Sequence, residues 1–350
     1  MLEPTTPERD MPDPATPAPE ERPDFDQASE SWQTFLQTVL GIVLLGATGV
    51  VAHYYAPPAP NELNDQVKQL TSQVELLKQE QSMPAMVLNR YSNSICYIYG
   101  VYQVGYPGQI PALRARLSGT GFIVGEGLLA TNRHVAEPWY GDPEADALIR
   151  KGAKPLLEKL VAFFPGVMTP VNITPAVVSA QGDLAVLHME TPNSAHPLPP
   201  LPLATKPSRP GELVAVIGYP MGIAGMVAKS PTAVYERLAY RRDDIGAANE
   251  LAALSLIRPS ATCGHLGDVV GDKLIYDAPT AHGGSGGPVF NSRGEVIGVN
   301  SAFLDGFSGG TLGISSEALR SLLEVAQRST PHSVKPADTP KTAALKTTVR

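Results

Sequence analysis

The chain has 350 residues, of which 43% are apolar and 17% charged, with 27 basic and 34 acidic side chains giving a net charge of −7. That apolar share supports a real core and excludes disorder along the whole chain. The acidic balance, with no basic stripe, excludes the electrostatic footprint of a nucleic-acid binder. The two cysteines, Cys96 and Cys263, exclude a disulfide scaffold and a four-thiolate zinc site. They either pair in an oxidising compartment or stand as two separate buried thiols.

Residues 1–31 carry seven prolines, nine acids and two bases, Arg9 and Arg22, without apolar periodicity. This composition predicts a disordered acidic tail. Between Glu30 and Glu62 there is no Asp, Glu, Lys or Arg. Within that gap the stretch from Phe35 to Ala52 (residues 35–52) is almost wholly apolar. Its length at ~1.5 Å per residue is ~27 Å, close to the ~30 Å hydrocarbon thickness of a bilayer. Trp32 before it and Tyr54 and Tyr55 after it sit where interfacial aromatics belong. A transmembrane helix over residues 32–56 is predicted. A cleaved signal sequence has a short basic leader, which this acidic, Pro-rich segment is not. Arg9 and Arg22 lie upstream and the first downstream base is Lys68, which favours a cytoplasmic N-terminus. The remainder is then periplasmic or extracellular.

Residues 57–85 read as a linker and short stalk. Pro57, Pro58 and Pro60 end the apolar helix. Leu63, Val67, Leu70, Val74 and Leu77 then follow heptad spacing, with valine at a and leucine at d. That choice favours two parallel strands, so a homo-oligomer formed through the stalk is one reading. A single amphipathic helix against the globular part is the other. Pro84 is expected to close the helix.

Residues 86–328 form the expected globular domain. Short apolar runs bounded by Gly or Pro, such as Ile95-Cys-Tyr-Ile-Tyr99, Leu213-Val-Ala-Val-Ile217 and Val296-Ile-Gly-Val299, suit antiparallel sheets or barrels, not βαβ units. Residues 142–164 read as the main helical exception, and residues 315–327 as a closing helix. Residues 329–350 are rich in Thr, Lys and Pro and are expected to be disordered.

Three segments carry chemistry. The first runs from Ser118-Gly-Thr-Gly-Phe through two strands to Asn132-Arg-His134-Val. The second is Gly182-Asp183-Leu-Ala-Val-Leu187, and the third is His282-Gly-Gly-Ser285-Gly-Gly-Pro288. A serine hydroxyl is a weak nucleophile and needs a base within hydrogen-bond reach, for which histidine has the matched pKa. The histidine needs an acceptor on its other nitrogen. Glycines around the serine let backbone N–H groups converge on a developing oxyanion.

Together these segments resemble the trypsin-like (chymotrypsin-fold) serine proteases of the HtrA/Deg type. Leu-Ala-Thr-Asn-Arg-His134-Val is similar to that family's L-T-N-x-H-V, and Asp183-Leu-Ala-Val-Leu to its D-L-A-V-L. Ala215-Val-Ile-Gly-Tyr-Pro220 is similar to A-I-G-x-P, and Ser285-Gly-Gly-Pro with Gly294-Glu-Val-Ile-Gly-Val-Asn300 to S-G-G-P…G-x-V-I-G-I-N. The resemblance spans roughly residues 86–325. It implies an all-β fold of two six-stranded antiparallel β-barrels, here with helical insertions. It also implies hydrolysis of a protein or peptide substrate through an acyl-enzyme, without metal or cofactor. His134 would be the general base, Asp183 its orienter and Ser285 the nucleophile. Gly283, Gly284 and Ser285 would form the oxyanion hole. Asn300, Ser301 and Ala302 would form one wall of the primary specificity pocket, Pro279 and Thr280 the other, with His282 at the rim. The small, uncharged walls imply small or medium apolar residues at the cleavage site.

The chain departs from the family in three ways. Gly284 stands where Asp or Asn is usual, which is expected to loosen the oxyanion loop. The gaps from His134 to Asp183 and from Asp183 to Ser285 look long, and insertions at residues 142–164 and near 234–254 are expected to fill them, as lids over the cleft. The PDZ domain that usually follows is not expected. Two other readings stay open: a protease-like peptide-binding scaffold without hydrolysis, and an assembly module working through the helix and stalk. An α/β-type esterase is disfavoured by the His…Asp…Ser order. His265 near Cys263 offers two ligands at most, and no metal site is expected.

Overall fold

The computed structural model describes residues 25–55, 60–192, 198–303 and 310–329. The expected tails lie outside these residues over 1–24 and 330–350. Helix α1 spans Phe25–Tyr55, so the helix begins before the expected boundary at residue 32, and α2 spans Pro60–Tyr91. The chain divides into two units, Met1–Ser72 and Gln73–Arg350. In the first, Trp32–Tyr55 is an apolar helix of 24 residues with none of it buried, long enough to be a candidate membrane span.

The seam residues Leu63, Val67, Leu70, Val74 and Leu77 of α2 are all exposed. Pro84 does not end this helix, contrary to the sequence expectation; it lies inside it. A proline removes one helical hydrogen bond, and packing holds the turns beyond it. Met83, Val87 and Tyr91 are buried in the main core, and the Tyr91 ring stacks on Phe290 with centroids 5.4 Å apart.

The first barrel contains β1 (Ile95–Gly105), β2 (Leu113–Gly125), β3 (Leu128–Thr131), α3 (Arg133–Ala136), α4 (Pro143–Arg150), β4 (Lys154–Phe163), β5 (Val171–Val178) and β6 (Ala185–Met189). The second contains β7 (Leu213–Gly218), α5 (Gly222–Ala228), α6 (Thr232–Leu238), α7 (Asp244–Ala253), β8 (Ser260–Val270), β9 (Lys273–Tyr276), β10 (Pro288–Asn291), β11 (Val296–Phe303) and β12 (Thr311–Ser315). Helix α8 (Ser316–Ser329) closes the fold. The strands close as β1-β2-β3-β6-β5-β4 and β10-β11-β12-β9-β8-β7, every pair antiparallel.

These strands read as unbroken apolar runs because both faces are buried. Side chains alternate faces along a strand. On β1, Cys96 and Ile98 fill the first barrel, while Ile95, Tyr97 and Tyr99 face the core between the barrels. On β7, Val214 and Val216 fill the second barrel, while Ala215 and Ile217 join the same shared core.

Residues 142–164 are a helix over their first third only. Asp142 caps α4, its Oδ1 accepting the N–H of Glu144 at 2.8 Å and of Ala145 at 3.0 Å. From Lys154 the chain is β4, paired along β1. Leu156, Leu157, Leu160 and Val161 have helix-like spacing in sequence, but strand pairing with β1 wins. The cysteines do not pair: Cys96 is buried and Cys263 exposed, so the alternative of two buried thiols also fails for Cys263. Burial pushes the Cys96 thiol pKa well above its ordinary value.

Because α2 contributes core side chains, Met83→Ala is expected to destabilise the domain by about 2–5 kcal/mol, the usual cost of truncating a buried methionine. Urea unfolding of the variant measures it, and an unchanged midpoint would mean that the end of α2 is not part of the cooperative core.

Candidate active site

His134 follows directly from β3. Asn132 begins α3, its carbonyl accepting from the N–H groups of Val135 and Ala136 at 3.2 Å each, which turns the chain and projects the next residues. The Asn132 amide donates to the backbone carbonyl of Asp183 at 2.8 Å. Asp183 itself ends a loop shaped by Ser179, whose hydroxyl accepts from the Gln181 and Gly182 N–H groups at 3.3 and 3.1 Å. Arg133 donates to the Ser179 carbonyl at 3.0 Å and pairs with Glu137, fastening this loop to α3.

The Asp183 carboxylate collects three donors. His134 Nδ1 lies 2.7 Å from Oδ2, the His134 backbone N–H donates to Oδ1 at 2.9 Å, and the Ser301 hydroxyl donates to Oδ2 at 2.7 Å. Burial alone raises the Asp183 pKa, but the hydrogen bonds from His134 and Ser301 outweigh it and hold the group below the usual carboxylate range. An ionised Asp183 keeps the hydrogen on Nδ1 and leaves Nε2 as the basic nitrogen.

Ser285 lies on the second barrel, in the loop before β10. Its hydroxyl donates to the Ser301 carbonyl at 3.0 Å, and among the described residues it makes no hydrogen bond to His134. Ser301 therefore touches both halves of the site, through its hydroxyl to Asp183 and its carbonyl to Ser285.

The loop backbone is almost fully accounted for. The N–H groups of Gly284, Gly286 and Gly287 donate to Ala281, Asn300 and Gly284 carbonyls at 2.9, 2.7 and 3.1 Å. The carbonyls of His282, Gly283 and Ser285 accept from Met221 N–H (2.6 Å), the Thr120 hydroxyl (2.7 Å) and Thr120 N–H (2.8 Å). Among the described residues, the Gly283 and Ser285 N–H groups alone in residues 283–287 have no acceptor. Gly283 has φ +90°, and a Cβ there would lie 2.5 Å from the Tyr219 carbonyl, so only glycine fits.

The other expected site residues take these positions. Asn300 is 1% exposed, and its amide donates to the Gly284 carbonyl at 2.8 Å and the Thr280 hydroxyl at 3.0 Å. The loop at Gly284 is therefore tied down, not loosened. A Cβ on Gly284 would lie 2.6 Å from Thr280 Oγ1. Pro279, Thr280 and Gly284 border a narrow crevice together with Val216, Gly218 and Pro220. Ser301 turns its hydroxyl to Asp183, Ala302 is exposed, and His282 is exposed at the loop edge. Thr120, Asn132 and Met221 carry loop geometry that sequence reading missed. Thr120 and Asn132 lie inside the quoted motifs, which was the available signal; Met221 had none.

A histidine–carboxylate pair on one barrel facing a serine in a glycine loop on the other is the layout of a trypsin-like hydrolase. The family model of the trypsin-like peptidase domain matches residues 119–299, and the chain belongs to that family. A serine protease of Mycobacterium tuberculosis is 27% identical over 189 residues, covering 54% of this chain and 37% of its own length. A Rhizobium meliloti protein named a probable periplasmic serine endoprotease DegP-like is 29% identical over 205 residues, 58% of this chain and 31% of its own. The chain thus spans about a third of these relatives. The crystal structure of a serine endoprotease from Yersinia pestis aligns with a TM-score of 0.45 at 19% identity, covering 70% of this chain and 66% of that one.

The lowered Asp183 pKa has a pH signature. A carboxyl held below its unfolded value contributes stability that is complete above about pH 4 and is lost as pH falls through the folded value. Asp183→Asn lacks this contribution, so the stability gap between wild type and variant should close on acidification. Urea midpoints measured from about pH 6 down to about pH 2 test it, and a constant gap would refute the assignment.

Proposed function

We propose that the protein is a membrane-anchored serine endopeptidase with His134 as base, Asp183 as orienter and Ser285 as nucleophile. The observation that carries this reading is the pair of unspent N–H groups, Gly283 and Ser285, beside a serine joined through Ser301 to the His134–Asp183 pair. Donors set where charge develops are the main source of stabilisation in acyl transfer.

In this mechanism the Ser285 hydroxyl leaves the Ser301 carbonyl and turns to His134 Nε2. Catalytic hydrogen bonds often tighten only once substrate is bound. Ser285 Oγ attacks the peptide carbonyl while its proton passes to Nε2. The Gly283 and Ser285 N–H groups receive the oxyanion. His134 then protonates the departing amine, leaving an acyl-Ser285 ester. A water, deprotonated by His134, hydrolyses that ester and restores the site.

The apolar α1 segment supports anchoring through residues 35–52, and the bases Arg9 and Arg22 support a cytoplasmic N-terminus. The relative named periplasmic fits a periplasmic catalytic domain. The exposed heptad seam of α2 supports pairing of two copies, and anchoring would hold both in parallel. The bond from Ser285 to Ser301 favours one alternative, a peptide-binding scaffold whose serine stays unactivated.

Reaction of the full chain with a fluorophosphonate probe separates the two. Wild type is expected to label at Ser285. Ser285→Ala and His134→Ala should not label, and Asp183→Asn should react about 10⁴-fold more slowly, as expected when the histidine loses its orienting carboxylate. A folded wild type that fails to label would favour the scaffold.

A further inference from the structure

We infer that Asn300 is the positioning residue that sets the oxyanion donor of Ser285, with Tyr276 and Thr280 fixing its orientation. This rests on the protease reading above. A peptide unit is planar, so holding its carbonyl fixes the direction of its N–H. In the unit joining Gly284 to Ser285, the carbonyl is held by Asn300 Nδ2 at 2.8 Å, and the opposite N–H is the Ser285 donor. The Gly287 N–H reaches the same carbonyl at 3.1 Å, from within the loop itself. Asn300 is the only one of the two anchored outside the loop, on β11.

An amide can face either way, and two partners remove the choice. The Tyr276 hydroxyl donates to Asn300 Oδ1 at 2.8 Å, and Nδ2 also donates to Thr280 Oγ1 at 3.0 Å. Tyr276 is fully buried and Asn300 nearly so, and burial strengthens the bond between them. Burial keeps the Tyr276 phenol protonated far above neutral pH, so it remains a donor. Gly284 has no side chain to brace the loop from within, and a Cβ there would collide with Thr280. The bracing amide comes from β11 instead. The Gly283 donor is set separately, by Met221 N–H on the His282 carbonyl.

The test uses the full chain, with Asn300→Asp, which keeps the shape and loses the donors, and Tyr276→Phe, which frees the amide to turn. Fluorophosphonate inactivation is resolved into its binding constant KI and its maximal rate kinact. Asn300→Asp should lower kinact about 10²-fold, the cost of losing one oxyanion donor, with KI nearly unchanged, and its melting temperature should fall because a buried carboxylate replaces the amide. Tyr276→Phe should lower kinact less, in the same direction. Wild-type kinact in folded Asn300→Asp, or a loss that falls on KI as much as on kinact, would overturn the inference and leave a packing role. A crystal structure of Asn300→Asp gives a readout free of catalysis. The unit from Gly284 to Ser285 should be turned, and an unmoved unit would overturn the inference even if the wild type proved unreactive. Wild type that fails to label, with the unit turned in the variant, would reject the protease reading alone.

Discussion

Hydrogen bonds exchanged across the boundary between the two barrels are the constraint on which the site depends. Thr120, on β2 of the first barrel, uses its N–H and hydroxyl to hold the Ser285 and Gly283 carbonyls of the second. Its hydroxyl also accepts the Tyr219 N–H at 3.0 Å, and its own carbonyl accepts from Thr131. Ser301, on β11 of the second barrel, returns the connection by donating to Asp183 of the first. Each barrel therefore completes the other's half of the site. A hydrogen bond to a charged group contributes about 1.5–3 kcal/mol, and leaving a buried partner unmet costs about as much. The two barrels are held in one relative position by groups that also shape the chemistry.

That arrangement lets half-buried polar groups sit beside an apolar core. The shared core contains Tyr97, Phe122, Phe163, Ile217 and Phe290, and in the loop Gly283, Gly284, Gly286 and Gly287 are buried. In such surroundings nearly every backbone group must find a partner. Among the described residues, the loop over residues 283–287 meets this demand at all but two N–H groups, those of Gly283 and Ser285. The proposed donors stand out here because hydrogen bonding has satisfied the rest. The same logic covers the end of α2, where burial of Met83, Val87 and Tyr91 outweighs the helical bond lost at Pro84.

Much of the fold was legible. Apolar runs bounded by glycine and proline gave β1, β7 and β11, and the motifs around His134, Asp183 and Ser285 pointed to two barrels. Strands buried on both faces leave that signature in sequence. The errors share a cause. Residues 154–163 have helical spacing, yet pairing with β1 makes them β4. The motif placed Asn300 and Ser301 near the site without showing that Asn300 holds the Gly284 carbonyl or that Ser301 donates to Asp183. A motif says that a residue is near the site, but not which way its side chain turns on a strand whose register is broken by a bulge between Asn300 and Ala302.

By itself the sequence determined the barrel class, the family and the three candidate residues of the proposed chemistry. These depend on local pattern: alternation of apolar residues, glycines that permit a tight loop, and a histidine, an acid and a serine in a fixed order. Only the tertiary structure decided how the loop is held. Thr120 and Ser285 are far apart in the chain, as are Tyr276 and Asn300, and their bonds exist only once two barrels close and meet. It also decided that Gly284 is braced from β11, because the space a side chain would need is already filled by Thr280. Such choices are set by volume and hydrogen-bond geometry between distant segments, which no local pattern records.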